Sequence, residues 1–243
     1  MRAQLPDFPW DALAPYGEKA RSHPQGIIDL SQGTPVDPTP EFIQQAFRDA
    51  SNSPSYPVTA GTAELRTAIK KWAIDRLGAT GEFDVLPLIG SKELVAWLPT
   101  YLESSTVLIP EIAYPTYHVG AVLAGAESVP VAIDANSWPA ADLAWLNSPS
   151  NPTGRVHSID EINACIDWAR KNKSVLISDE CISNLITQHI QYLSYRKQVE
   201  TTPIFWRYIH YQSVHLWLAI VQLSWLATAL WSHRSVRFES MAE

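Results

Sequence analysis

The first 181 residues of this 243-residue chain predict an α/β fold, with a mostly parallel sheet flanked by helices. Three observations carry that expectation. Short apolar runs alternate with segments whose apolar residues recur every three or four positions, the pattern of strands joined by crossover helices. Polar loops follow the apolar runs, as at strand ends that lead into helix N-termini. Hydrophobic residues make up 46% and charged residues 18% of the chain, enough apolar material for a sizeable core.

Each element has a local cause. Thr39 before Pro40 reads as an N-cap followed by proline at the first helical position, with Phe42, Ala46 and Phe47 as an apolar stripe, so a helix is expected near 39–50. From Gly61 to Leu77, the residues Leu65, Ile69, Trp72, Ala73 and Arg76 repeat at helical spacing, and Gly78 stands where a left-handed C-terminal residue is wanted. Strands are then expected at 85–89, 106–109, 128–133, 143–146 and 175–178. Helices are expected at 91–101, 117–124 and 158–171.

Charge and cysteine usage narrow the function classes. The net charge of −7 lacks the cationic footprint that phosphate-backbone binding requires, so nucleic acid is excluded as a partner. Cys165 and Cys181 form neither a metal-ligand spacing nor a disulfide framework, and the N-terminus lacks a basic-then-apolar signal pattern. The expected compartment is the cytoplasm.

Position reveals a break that the averages conceal. All ten glycines lie at or before Gly154, and the segment after residue 181 carries five Lys+Arg, three Asp+Glu, no Asp and a single proline, Pro203. The first 181 residues are strongly acidic and this tail is slightly basic. The chain therefore reads as two compositions joined near residue 181.

Four expected strand ends carry chemistry. Gly90-Ser91-Lys92 opens a helix, where a glycine lets the backbone approach an anion and the first-turn N–H groups face it, although Gly-Ser is also an ordinary cap. Tyr114 and Tyr117 follow the strand ending at Ile109 and offer either a stacking surface for a planar ligand or a packed corner. Asn147-Ser148-Pro149-Ser150-Asn151-Pro152-Thr153-Gly154 is a rigid loop whose amides cap turns or face a ligand. Asp179 ends the strand 175–178, and a buried carboxylate there needs a partner: a protonated ring nitrogen, or a nearby Arg or Lys. Together these describe a site for a flat, phosphorylated heteroaromatic with a basic ring nitrogen. Pyridoxal 5'-phosphate fits better than a nucleotide, because no Gly-x-Gly-x-x-Gly is present.

The segments IIDLSQGTPVDPTP (27–40), YPVTAGTAELRTAI (56–69), LPLIGSKELVAWLP (86–99), IPEIAYPTYHVGAVLAGA (109–126), LNSPSNPTGRV (146–156) and SDEC (178–181) resemble the pyridoxal-phosphate-dependent aminotransferases of class I/II, fold type I. They are most like bacterial N-succinyldiaminopimelate aminotransferases of lysine and diaminopimelate biosynthesis. The resemblance implies the large domain of that fold and amino transfer between an amino acid and a keto acid. It implies phosphate contacts for Ser91 and Lys92, ring stacking for Tyr114, an amide on the ring hydroxyl from Asn151, and a carboxylate on the ring nitrogen from Asp179. Tyr56 matches a tyrosine that reaches the phosphate of the other subunit, which implies a homodimer. Gly33 matches a glycine near the substrate carboxylate.

The resemblance ends within a motif. Where the family has a tyrosine after Asp-Glu-Cys, this chain has Ile182, and neither the Ser-x-Ser-Lys that supplies the Schiff-base lysine nor the small-domain arginine is recognisable in 182–243. The tail's one lysine, Lys197, lacks the spacing. Residues 1–181 are thus expected to be an N-terminal segment and partial cofactor-binding domain, with the small domain missing. Residues 182–243 are expected to be out of frame or poorly folded, making the chain an inactive fragment. A frameshift near codon 182 is the simplest account, and Trp225–Leu230, back-translated one frame over, permits a family-like string. A rival reading takes the uncharged run Val214–Trp231 as a membrane anchor.

Overall fold

The structure, a computed structural model, describes residues 4–31, 38–77, 79, 81, 83–88 and 90–181, together with the backbones of 204–210 and 217–223. It divides into two units, Met1–Ser53 and Pro54–Glu243.

The first unit holds α1 (Ala14–Arg21) and α2 (Glu41–Ala50). Sequence reasoning missed α1. In α2 the expected cap is displaced by one residue: Pro40, extended at ψ 141°, takes the N-cap position without a side-chain bond. The Thr39 hydroxyl therefore caps nothing, and its carbonyl instead accepts from Gln44 Nε2 at 2.7 Å. The expected apolar stripe is also corrected. Ile43 is buried, whereas Phe42 and Phe47 are 76% and 61% exposed.

The second unit begins with α3 (Ala63–Leu77), entered through Thr62, whose Oγ1 accepts the Leu65 N–H at 3.2 Å. Its face of Ile69 and Ala73 closes on Val85 of β1 (Phe83–Leu88). Gly78 and Ile89 lie outside the described residues. There follow α4 (Ser91–Tyr101), β2 (Thr106–Pro110), α5 (Thr116–Ala124), β3 (Glu127–Val131), β4 (Leu143–Asn147), α6 (Ile159–Asn172) and β5 (Val175–Asp179), each within two residues of expectation. Ser158 and Glu161 close a capping box at the start of α6, and Gly125, left-handed at φ 69°, ends α5.

Two strands lie beyond the compositional break: β6 (Ile204–His210) and β7 (Trp217–Leu223). The seven strands form one sheet in the order β1-β7-β6-β5-β4-β2-β3. β7 runs antiparallel to both neighbours and every other pairing is parallel, so β1 to β6 share one direction. Both new strands are rich in β-branched and aromatic residues, as a strand paired on both sides requires. Residues 217–223 of the expected membrane run are thus a strand between β1 and β6, and the rest of that run lies outside the described residues. Among the described residues no helix is long and apolar enough to cross a membrane.

Alternation along each strand sends side chains to opposite faces. Leu108, Ala144, Leu146 and Leu176 pack under α6 with Ile162, Cys165 and Ile166. Burial pushes the Cys165 thiol up to about 12, as expected of an inert core residue. Val107, Ile109, Leu143, Trp145 and Ile177 pack on the other face against Val95 and Leu98 of α4 and Tyr117 and Ala121 of α5. Close approach of those two helices depends on Gly120. A Cβ there would stand 2.7 Å from the Val95 carbonyl oxygen and 3.1 Å from that of Ala96, both backbone atoms that cannot swing away. Gly120→Ala is expected to cost about 1–3 kcal/mol, measured as a lower denaturation midpoint with an unchanged slope.

Candidate functional site

Because β1 to β6 are parallel, the loops after β1, β2, β4 and β5 open on one edge of the sheet, where ligands collect in open α/β sheets. Strand register fixes their spacing. Leu88 is level with Trp217 and that residue with His210, while Asp179 is level with Tyr208 on one side and Asn147 on the other. The end of β1, from which the chain leads into α4, thus stands about two residues beyond the level of Asp179 and three strand spacings away, about 14 Å.

Asp179 is the centre of the arrangement. It is 3% exposed, and its Oδ2 accepts the Tyr117 hydroxyl at 2.5 Å while Oδ1 accepts the Cys181 N–H at 3.1 Å. Burial pushes the carboxyl above the usual carboxylate range. The donors from Tyr117 and Cys181 pull it back, and the neighbouring Glu180 adds to the rise. Among the described residues no Lys or Arg pairs with it, so the expected cationic partner is not supplied by this part of the chain. The Cys181 thiol is pushed up by the same burial, with the Asp179 charge beside it.

The Asn-Pro loop is tied to this strand end by Asn147. Its Nδ2 donates to the Asp179 carbonyl at 3.1 Å and to that of Pro149 at 3.3 Å, and its Oδ1 accepts the Asn151 N–H at 2.7 Å. Ser148 N–H also donates to the Asp179 carbonyl, at 3.0 Å. The Ser148–Pro149 and Asn151–Pro152 peptides are cis, and Gly154 is left-handed at φ 70°. Of the two amides the sequence left open, Asn147 is consumed in holding the loop, and Asn151 is exposed at the edge.

Ser91 begins α4, 4% exposed, after an extended Gly90 and with no side chain capping the helix. First-turn N–H groups at such an end attract anions. Lys92 is exposed. Tyr114 is half-buried, its ring edge-on to Tyr117 at 6.2 Å. Tyr56 is 98% exposed and is not brought into contact with the others. Gly33, Ile182, Lys197 and Trp225–Leu230 lie outside the described residues.

By sequence alone Tyr117 is a second aromatic beside Tyr114. The structure makes it fully buried, stacked on Trp145 with ring centroids 4.8 Å apart and hydrogen-bonded to Asp179. One signal could have found it: a second phenol three residues after Tyr114, at the start of a helix on the ligand edge.

The family model for aminotransferase class I and II matches residues 25–204. The 4-dedimethylamino-4-oxo-anhydrotetracycline transaminase of Streptomyces rimosus is 46% identical over 184 residues, which is 73% of this chain and 51% of that protein. A probable aminotransferase of Mycobacterium tuberculosis is 49% identical over 189 residues, 75% of this chain and 45% of that one. Among solved structures, the N-succinyldiaminopimelate aminotransferase of Mycobacterium tuberculosis superposes with a TM-score of 0.66 at 26% identity, over 77% of this chain and 56% of that one. The chain spans about half the length of the curated relatives it matches.

Proposed function

The chain belongs to the class I and II aminotransferases, and from that premise we propose that its sheet edge binds pyridoxal 5'-phosphate for amino transfer between an amino acid and a keto acid. The observation that carries this is Asp179, a buried carboxylate with neutral donors and no cationic partner among the described residues. A protonated pyridine nitrogen supplies the missing charge. When bound, the cofactor supplies an electron sink for the substrate's α-carbon, and an anionic Asp179 strengthens that sink.

The chain's own residues divide the work. Ser91 and the first turn of α4 hold the phosphate through N–H groups and a hydroxyl, with Lys92 adding charge. Tyr114 covers one face of the ring, and Asn151 offers its amide to the ring hydroxyl. The resemblance assigns the substrate carboxylate to Gly33. Tyr56, standing clear of its own subunit's surface, reaches the phosphate of a second copy, and the enzyme works as a cytoplasmic homodimer. The substrate pair is N-succinyldiaminopimelate and glutamate, in lysine-diaminopimelate synthesis. The similarly named structural relative and the resemblance of residues 27–156 support this choice.

A second reading has one observation in its favour: residues 182–243 contain no Ser-x-Ser-Lys. On it the chain binds the cofactor without a Schiff-base lysine and turns over nothing. The tail is then the out-of-frame part of the chain, although two of its strands lie in the sheet.

Equilibrium dialysis against pyridoxal phosphate and pyridoxamine phosphate tests the common ground, and retention of either is expected. Binding of neither overturns the cofactor reading. Borohydride then separates the two readings. A reduced adduct on a lysine, located by peptide mass, supports transamination, and its absence from a cofactor-loaded protein supports the second reading. Conversion of bound pyridoxal phosphate to the pyridoxamine form by glutamate or N-succinyldiaminopimelate, but not by other amino acids, tests the substrate.

A further inference from the structure

The phenol of Tyr117 lies inside the molecule, one layer behind the ligand edge, yet it touches two of the residues assigned to the ligand. Its hydroxyl donates to Asp179 Oδ2 at 2.5 Å, and its ring meets Tyr114 edge-on, with centroids 6.2 Å apart and planes at 84°. The ring's freedom is taken up by Trp145, stacked at 4.8 Å and 25°. Both rings are buried, in the cluster formed by α4, α5 and the central strands.

We propose that Tyr117 is a positioning residue: clamped by Trp145, its hydroxyl fixes the Asp179 carboxylate, as an anion, toward the ring nitrogen of a bound pyridine. This rests on the reading of the site as a pyridoxal phosphate site.

The hydrogen-bond inventory supports the anionic form. A carboxylate only accepts, whereas a protonated carboxyl must also donate. Here a donor faces each oxygen: the Tyr117 hydroxyl on Oδ2 and the Cys181 N–H on Oδ1. Hydrogen bonds to the charged form favour that form, offsetting the cost of burial. The other titratable groups at Asp179 are the Cys181 thiol, which also bonds to it, and Glu180, whose like charge works against ionisation. Tyr117 heads the causes that hold the carboxyl down, and it alone comes from a different layer of the fold. A phenol gripped between Trp145 and Tyr114 also holds the second carboxylate oxygen, so that with the Cys181 N–H on the first the group is kept from rotating.

The test uses the full chain with two probes: pyridoxamine 5'-phosphate, and its 1-deaza analogue, in which CH replaces the ring nitrogen. Neither needs a Schiff-base lysine. Tyr117→Phe keeps the ring and removes the hydroxyl. It is expected to weaken pyridoxamine phosphate about tenfold, the effect of losing a hydrogen bond to a charged group, and to leave the deaza analogue unchanged. The acid limb of pyridoxamine phosphate binding should move to higher pH, because the remaining carboxylate takes a proton more readily.

The ratio of the two affinities does not depend on the folded fraction, so a partly destabilised variant still gives an answer. Trp145→Phe, which keeps the hydroxyl and loosens the clamp, is the second variant and should lower the same ratio by a smaller factor. Equal weakening of both probes by Tyr117→Phe, or no change in either, overturns the inference while leaving the cofactor reading intact. A wild-type chain that binds neither probe overturns both.

Discussion

Asp179→Asn is expected to abolish discrimination between pyridoxamine phosphate and its deaza analogue while making the ligand-free protein more stable at alkaline pH. Loss of a charge-assisted hydrogen bond to a ring nitrogen weakens binding by about 2 kcal/mol, roughly thirtyfold. The gain in stability has the opposite origin. Burial holds the Asp179 carboxyl above its ordinary value, so between the unfolded value, about 3.9, and the folded one, the native state binds more protons than the unfolded state. Stability contributed by that proton is fully present below the unfolded value and is lost as pH rises through the folded value. The amide carries no such slope. Its oxygen accepts the Cys181 N–H, and its NH2 donates to the Tyr117 oxygen, so both side-chain contacts are kept with the Tyr117 bond reversed in direction. Denaturant titrations from about pH 4, near the unfolded value, to pH 8 check this: the stability of the variant relative to wild type should increase from the lower pH to the higher. A variant that loses stability by the same amount at both pH values would show that Asp179 serves packing alone.

Trp145→Ala is expected to carry the largest purely structural cost, about 3–5 kcal/mol. Trp145 is 1% exposed at the middle of β4 and lies in the same cluster as Val95 and Leu98 of α4 and Tyr117 and Ala121 of α5. Truncation opens a cavity beneath the two helices that Gly120 already lets approach closely. It also frees the Tyr117 ring, so the loss should reach the site: in whatever fraction stays folded, the affinity ratio of the two pyridoxamine probes should fall. Thermal melting and the probe titration together check both parts. Melting within two or three degrees of wild type would contradict this account of the core.

How far residues alone carried the fold varies with the range of the interactions involved. Elements from α3 to β5 were readable because each is set by local periodicity and punctuation, such as Gly125 after α5 and Ser158 before α6. β6 and β7 were not. An apolar run such as Trp217–Leu223 has no period that distinguishes a doubly paired strand from a buried or membrane helix. Its placement depends on β1, more than a hundred residues earlier in the chain. The exposure of Phe42 and Phe47 likewise escaped a reading that counted apolar positions without knowing what lies opposite them.

The candidate site divides in the same way. Ser91, Tyr114, Asn151 and Asp179 are marked by where they fall, each just past a strand in a crossover series, and that order is local information. Parallel crossovers then bring them to one edge without further instruction. The division of labour between Asn147 and Asn151, and the bond between Tyr117 and Asp179 across 62 positions of sequence, are of another kind. They depend on how closely α5 is seated against α4 and on which side of β4 presents Trp145. Burial adds the last step, because an acid that would be an ordinary carboxylate in water becomes, at 3% exposure, a group whose charge depends on its neighbours. Chain order therefore dictates where the chemistry collects, and packing between layers decides in which protonation state and orientation it waits.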